Sequence, residues 1–307
     1  MRKNITMIDA IDTEDSIKGC LIGLAVGDAV GTTLEFKPRG TFKPISDMLG
    51  GGPFRLKAGE WTDDTSMALC LAQSLIHKNE FDPEDQMNRY CNWYRVGYMS
   101  SNGRCFDIGN TVSSALNQYE KTREPFSGST DKYSAGNGSL MRLAPIPIFF
   151  KDDQDKALHY AGESSRTTHG ADECVDSCKA FTAMILSVFS GKSKDSILTD
   201  FYYEPYTKGV KNLFDNHFLD KDYQELTGSG YVIESLESAL WCFYHTDNFR
   251  DAILKSANIG NDADTTAAIC GQIAGAYYGL GGIPDSWKDK LVMYSEIENM
   301  AVQLITK

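Results

Sequence analysis

Gly260-Asn261-Asp262-Ala263-Asp264-Thr265-Thr266-Ala267 is the stretch on which the reading of this chain turns. It sets two carboxylates and two hydroxyls within five residues, then opens into a small and apolar run, Ala267 to Gly279, that reads as helix. Asp264 to Thr266 would form its first turn, and Asp262 and Asp264 can face one centre only if the backbone turns there. Acidic and hydroxyl side chains at a helix start have an ordinary role, capping its free N–H groups. One cap needs one such residue, whereas this start has four. The same residues make a hard, all-oxygen ligand set for Mg2+, Mn2+ or Ca2+. A second copy of the chemistry, Trp61-Thr62-Asp63-Asp64-Thr65-Ser66, precedes another helix-like run, Met67 to Ile76. If the two starts met, their four carboxylates would repel one another, and divalent cations would resolve that conflict.

Helical periodicity also begins at Asp15, where Ile17, Cys20, Leu21, Leu24 and Ala25 fall on one face. Gly19, Gly23, Gly27 and Gly31 recur every four residues along this helix, and Gly271, Gly275 and Gly279 repeat the feature after Asp262. Interior glycines cost helix stability, so the two stripes are expected to let these helices pack closely at the centre. Further helices are expected over 66–77, 83–97, 111–121, 153–165, 172–190, 231–244, 248–257 and 286–306. Residues 192–228 are the least patterned, and 1–14 are expected to be a flexible N-terminal segment. No strand series and no interdomain linker stands out. The expected fold is one all-α domain over residues 15–307.

A chain of 307 residues with 42% hydrophobic content can build a large core. Its formal net charge of −12 argues against nucleic acid or an anionic membrane as partner. Met1-Arg2-Lys3 leads into polar and acidic residues, so no signal peptide is expected. The apolar stretch Gly19 to Leu34 contains Asp28 and is expected to be too short to span a membrane. Eight scattered cysteines without a C-x-x-C read as buried hydrophobes of a reduced, cytoplasmic compartment. Gly109-Asn110-Thr111 at a helix start suits an anion held on backbone N–H groups, or is a plain turn with an N-cap. His169 stands between two helices, where a structural role is the commoner one.

Five separated segments resemble one family, the ADP-ribosylglycohydrolases: Gly27-Asp28-Ala29-Val30-Gly31 with Glu35, Trp61 to Thr65, Phe106 to Thr111, Gly136 to Arg142, and Gly260 to Thr265. The resemblance runs in order from about residue 15 to 285 and implies an all-helical domain with two divalent cations, Mg2+ or Mn2+, in a central cleft. Carried over by motif, it makes Thr62, Asp63, Asp64, Asp262, Asp264 and Thr265 the metal ligands. It places Asp107, Ile108, Gly109, Asn110 and Thr111, together with Ser134, Gly136, Asn137 and Gly138, where the diphosphate and ribose are gripped, with His169 nearby. Catalytic roles would fall to Asp107, Glu35, Asp63 and Asp264, with either Asp107 or Glu35 moving the proton. The implied activity is metal-dependent hydrolysis of the N-glycosidic bond of ADP-ribosylated arginine. The substrate would be an ADP-ribosylated protein or a small molecule containing ADP-ribose. Cys105 to Thr111 looks like the arginine-directed branch. Hydrolysis of serine-linked or O-acyl ADP-ribose, or an inactive ADP-ribose-binding member, are the alternatives.

Overall fold

The computed structural model describes residues 13–215 and 217–306. The first twelve residues of the expected flexible segment therefore lie outside the described residues. Thr13 and Glu14 already belong to the first helix. Among the described residues fourteen α-helices follow one another, and only isolated β-bridges form. In order they are α1 Thr13–Gly31, α2 Asp63–Lys78, α3 Pro83–Val96, α4 Asn110–Thr122, α5 Pro145–Phe149, α6 Gln154–Arg166 and α7 Asp172–Phe189. After these come α8 Lys194–Thr199, α9 Lys208–Phe214, α10 Val232–Tyr244, α11 Phe249–Ala257, α12 Ala263–Tyr278, α13 Asp285–Lys288 and α14 Tyr294–Ile305.

The axis of the fold is the α1–α12 pair, with α2, α7, α11 and α14 packed around α1 and with α10 and α11 against α12. Glycines set the closeness of the pair. A Cβ on Gly23 would stand 2.2 Å from the carbonyl oxygen of Gly271, and one on Gly275 would stand 2.0 Å from that of Gly19. Backbone touches backbone at these positions, which offsets the helix propensity that glycine forfeits. Gly27 meets the backbone of Ala267 rather than a glycine.

Nearly every residue of α1 from Ser16 onward is buried, Asp28 included. With the short 3-10 turn Thr32–Leu34 it makes a 22-residue run, long and apolar enough to cross a membrane by length and composition alone. The expectation that it is too short is corrected. That run's apolar window is 94% buried inside this fold.

Two other expectations change. The terminal helix expected over 286–306 is broken into α13 and α14, with Met293 at φ 57° between them. Tertiary contacts hold the break: Val292 N donates to Gly59 O at 3.0 Å, and Trp61 Nε1 donates to Val292 O at 3.2 Å. Local propensity alone would have continued the helix. In the poorly patterned region the short helices α8 and α9 form, and the chain between them is tied to α7. Buried Asp176 accepts from Tyr203 Oη at 2.6 Å and from Thr207 N at 2.7 Å.

Candidate active site

The N-termini of α2 and α12 face each other across the core. Neither N-cap residue, Thr62 or Asp262, uses its side chain to cap its own helix. For α2 that task falls to Asp28 of α1. One of its carboxylate oxygens accepts from Thr62 N at 2.9 Å, and the other from Thr65 N at 3.0 Å and Thr65 Oγ1 at 2.6 Å. Capping from a neighbouring helix leaves Asp63 and Asp64 free for other work. The sequence resemblance assigns Asp28 no role, and the signal it offers is a lone carboxylate inside an apolar helix.

Two carboxylate triads result, and Asp264 belongs to both. Asp28, Asp64 and Asp264 bring oxygens within 4.8 Å of one another, and so do Glu35, Asp107 and Asp264. The Thr62 hydroxyl links the first group, lying 2.9 Å from Asp28, 3.1 Å from Asp64 and 3.3 Å from Asp264. Asp262 is held by the Asn137 amide at 2.7 Å. Burial, then mutual repulsion with the neighbouring carboxylates, pushes Asp63, Asp64 and Asp264 well above the usual carboxylate range. Glu35 is raised for the same reasons, and burial pushes Asp107 up to about 7. Two buried carboxylate oxygens of this cluster, Asp64 Oδ1 and Glu35 Oε2, have no hydrogen-bond partner. Unpartnered hard oxygens among clustered acids fit a divalent cation of the oxygen-seeking class.

These shifts set a sign for stability. Without metal the folded protein binds more protons than the unfolded chain, whose carboxyls titrate near pH 4. The stability these carboxyls contribute is therefore fullest below about pH 4 and is lost as pH rises, with the Asp107 part gone above about pH 7, against the opposite trend of the single buried His169. In scanning fluorimetry with EDTA, the melting temperature should fall across that window, and Mg2+ or Mn2+ should restore it at neutral pH. A metal-free melting temperature that rises from acid to neutral pH would contradict this assignment.

Above the triads lies a cavity of about 480 Å3. Its walls include Glu35, Asp63, Asp107, Ile108, Gly109, Asn110, Thr111, Gly136, Asn137, Gly138, His169, Asp262, Asp264 and Thr265. Thr62 and Asp64 sit beneath it, fully buried. Ser134 does not reach it: its hydroxyl turns back to Asp131 O at 2.6 Å, and the residue lines an adjoining groove with Tyr133 and Tyr231. Phe36, Val112, Met141 and Gly230 also line the cavity, although the resemblance assigns them no role. Gly230 lies beside Asp262, where an added Cβ would be 3.6 Å from Oδ2. No sequence pattern marked it, because its neighbour is distant in the chain.

Asp107 has φ 60° and Asn261 φ 56°, a left-handed backbone that Asp and Asn accept better than most residues. Just beyond Asp107, α4 follows its N-cap Gly109 with no side-chain cap, so its first turn is open to an anion. His169 is buried with Nδ1 2.8 Å from Thr168 Oγ1, and burial pulls its pKa down to about 3. It is therefore neutral at ordinary pH. Gly138 must lack a side chain, since a Cβ there would stand 2.7 Å from His169 Cε1. Arg142, wholly buried, donates to Gly138 O at 3.3 Å and Ser164 O at 3.1 Å, tying the glycine loop to α6.

A family profile described as ADP-ribosylglycohydrolase matches residues 9–307. The ADP-ribosylarginine hydrolase Tri1 of Serratia proteamaculans (strain 568) is 45% identical over 298 residues, which is 97% of this chain and 81% of that protein. The ADP-ribosyl-[dinitrogen reductase] glycohydrolase of Rhodospirillum rubrum is 31% identical over 92% of each chain. A solved structure described as an ADP-ribosylglycohydrolase-related protein complex superposes with a TM-score of 0.83 at 38% identity, covering 95% of this chain and 98% of that one.

Proposed function

This chain belongs to the ADP-ribosylglycohydrolase family, and on that premise we propose that it hydrolyses the bond between ADP-ribose and arginine side chains of proteins, reversing mono-ADP-ribosylation. The observation that carries the reading is the convergence of Glu35, Asp63, Asp107, Asp262 and Asp264 on one cavity, in a chain 45% identical to an ADP-ribosylarginine hydrolase. Two divalent cations, Mg2+ or Mn2+, would be held by Thr62, Asp63, Asp64, Asp262, Asp264 and Thr265. When bound, such ions supply positive charge against the clustered carboxylates and Lewis acidity toward oxygen.

The chain's own groups account for the rest. The open first turn of α4 offers backbone N–H groups to the diphosphate, which a protein of net charge −12 must bind through local donors. As the C1–N bond breaks, the ribose gains oxocarbenium character, which the surrounding carboxylates stabilise. The oxygen of a water molecule bonds to C1, and the nitrogen leaves with a proton as arginine. Asp107, a cavity-wall residue raised to about 7 by burial, would exchange that proton and face the leaving guanidinium.

The deciding assay follows ADP-ribose release from arginine-modified and serine-modified proteins, with and without EDTA. Release from the arginine-modified protein alone, abolished by EDTA, is the expected result. Release only from serine would move the assignment to that linkage, and release from neither would leave a binding protein.

Asp107→Asn provides a sharper check. Asn tolerates the same left-handed backbone, and Asp107 does not cap α4, whose N-cap is Gly109. The charge and one acceptor oxygen are lost while the backbone is kept. The expectation is a fall of at least ~100-fold in kcat on arginine-linked substrate, with ADP-ribose binding largely kept. Near-normal turnover would reject the role given to Asp107.

A further inference from the structure

Two carboxylates of the cavity are each next in chain to an aromatic ring: Phe36 follows Glu35, and Phe106 precedes Asp107. Phe54 joins the two, with its centroid 6.3 Å from Phe36 and 5.2 Å from Phe106. Three segments thus supply one row of rings that begins at the cavity wall, where Phe36 is a lining residue. Phe36 is 65% exposed and has φ 58°, an expensive backbone for a bulky side chain. Hydrogen bonds to the α12 approach hold it there. Phe36 N donates to Asn261 O at 2.6 Å, and Asn261 N donates to Lys37 O at 2.8 Å. This turn buries the Glu35 carboxylate while leaving the neighbouring ring in solvent. Phe54 rides on a tight turn closed by paired bonds between Gly51 and Leu56, at 2.7 and 2.9 Å.

We propose that the Phe36–Phe54–Phe106 row receives the arginine side chain of the modified protein and sets the preference for guanidinium-linked ADP-ribose. The inference rests on the arginine reading given above. A guanidinium is planar, donates N–H bonds along its edge, and stacks its weakly hydrated face on aromatic rings. Asp107 offers an acceptor for the edge, and the adjacent rings offer a surface for the face. A serine oxygen has no flat cationic face to use that pairing, and an acetate, though planar, is an anion that neighbouring carboxylates repel.

The test compares Phe36→Ala, Phe36→Leu, Phe36→Tyr and Phe54→Ala on a peptide carrying one ADP-ribosyl-arginine. The Ala and Leu variants should raise KM about 10-fold, while Tyr, which keeps the ring, stays near wild type. The affinity for free ADP-ribose, measured by calorimetry, should stay within about twofold in all four, because that ligand has no guanidinium. Wild-type kinetics in Phe36→Leu would overturn the proposal, since apolar bulk alone would then suffice. A parallel loss of ADP-ribose affinity would overturn it too, by making the ring part of the ADP-ribose pocket. Failure of the wild-type enzyme to release ADP-ribose from this peptide would instead defeat the arginine reading itself, before any variant is compared.

Discussion

Asp264→Asn is expected to lower kcat by at least ~100-fold, because it removes a charge placed where positive charge must be held during the reaction. Asp264 is the single residue common to both triads, so no other substitution touches both at once. The variant keeps the shape and the acceptor for Thr265 N, which now bonds Asp264 Oδ1 at 2.9 Å. A second readout separates chemistry from damage to the fold. In EDTA the variant should melt above metal-free wild type, since one buried and repelled carboxylate has gone. Added Mg2+ or Mn2+ should then raise its melting temperature less than it raises that of wild type. A variant with full activity, or one that melts below wild type in EDTA, would show that Asp264 has another job.

Gly275→Leu should be among the most damaging single changes to stability, and Gly275→Ala shows why. In an exposed helix Ala would stabilise by up to ~1 kcal/mol over Gly. Here the new Cβ would stand 2.0 Å from the carbonyl oxygen of Gly19, and neither backbone can step aside alone. The α1–α12 axis would have to separate, so Ala should destabilise by at least about 3 kcal/mol, above the usual overpacking range. Leu should prevent accumulation of the folded protein. Urea denaturation of the Ala variant decides the matter. An unchanged or raised midpoint would mean that the glycine stripe does not carry the contact.

The two acidic helix starts were legible because each is a local pattern, a cluster of Asp and Thr ahead of a small or apolar run. The glycine stripes were legible for the same reason, as a four-residue period on one helix face. Asp28 shows the limit of such reading. Its carboxylate is visible as a charge in an apolar helix, yet its partners Thr62 and Thr65 lie 34 and 37 residues away. Ser134 fails the other way. It belongs to a loop that reaches the cavity at Gly136, but the local turn sends its hydroxyl back to Asp131.

The sequence by itself therefore determined the helical class, the central close-packed pair and the residues with ligand chemistry, all properties of neighbours within a few turns of chain. The tertiary structure alone decided that Glu35, Asp107 and Asp264 meet, that two carboxylate oxygens are left unpartnered, and that three distant phenylalanines form a row. Desolvation and charge repulsion depend on separation through space, which sequence distance does not report. For that reason the acids could be named from the chain, while the raised protonation of Asp107 and the surface offered to the leaving arginine needed the fold.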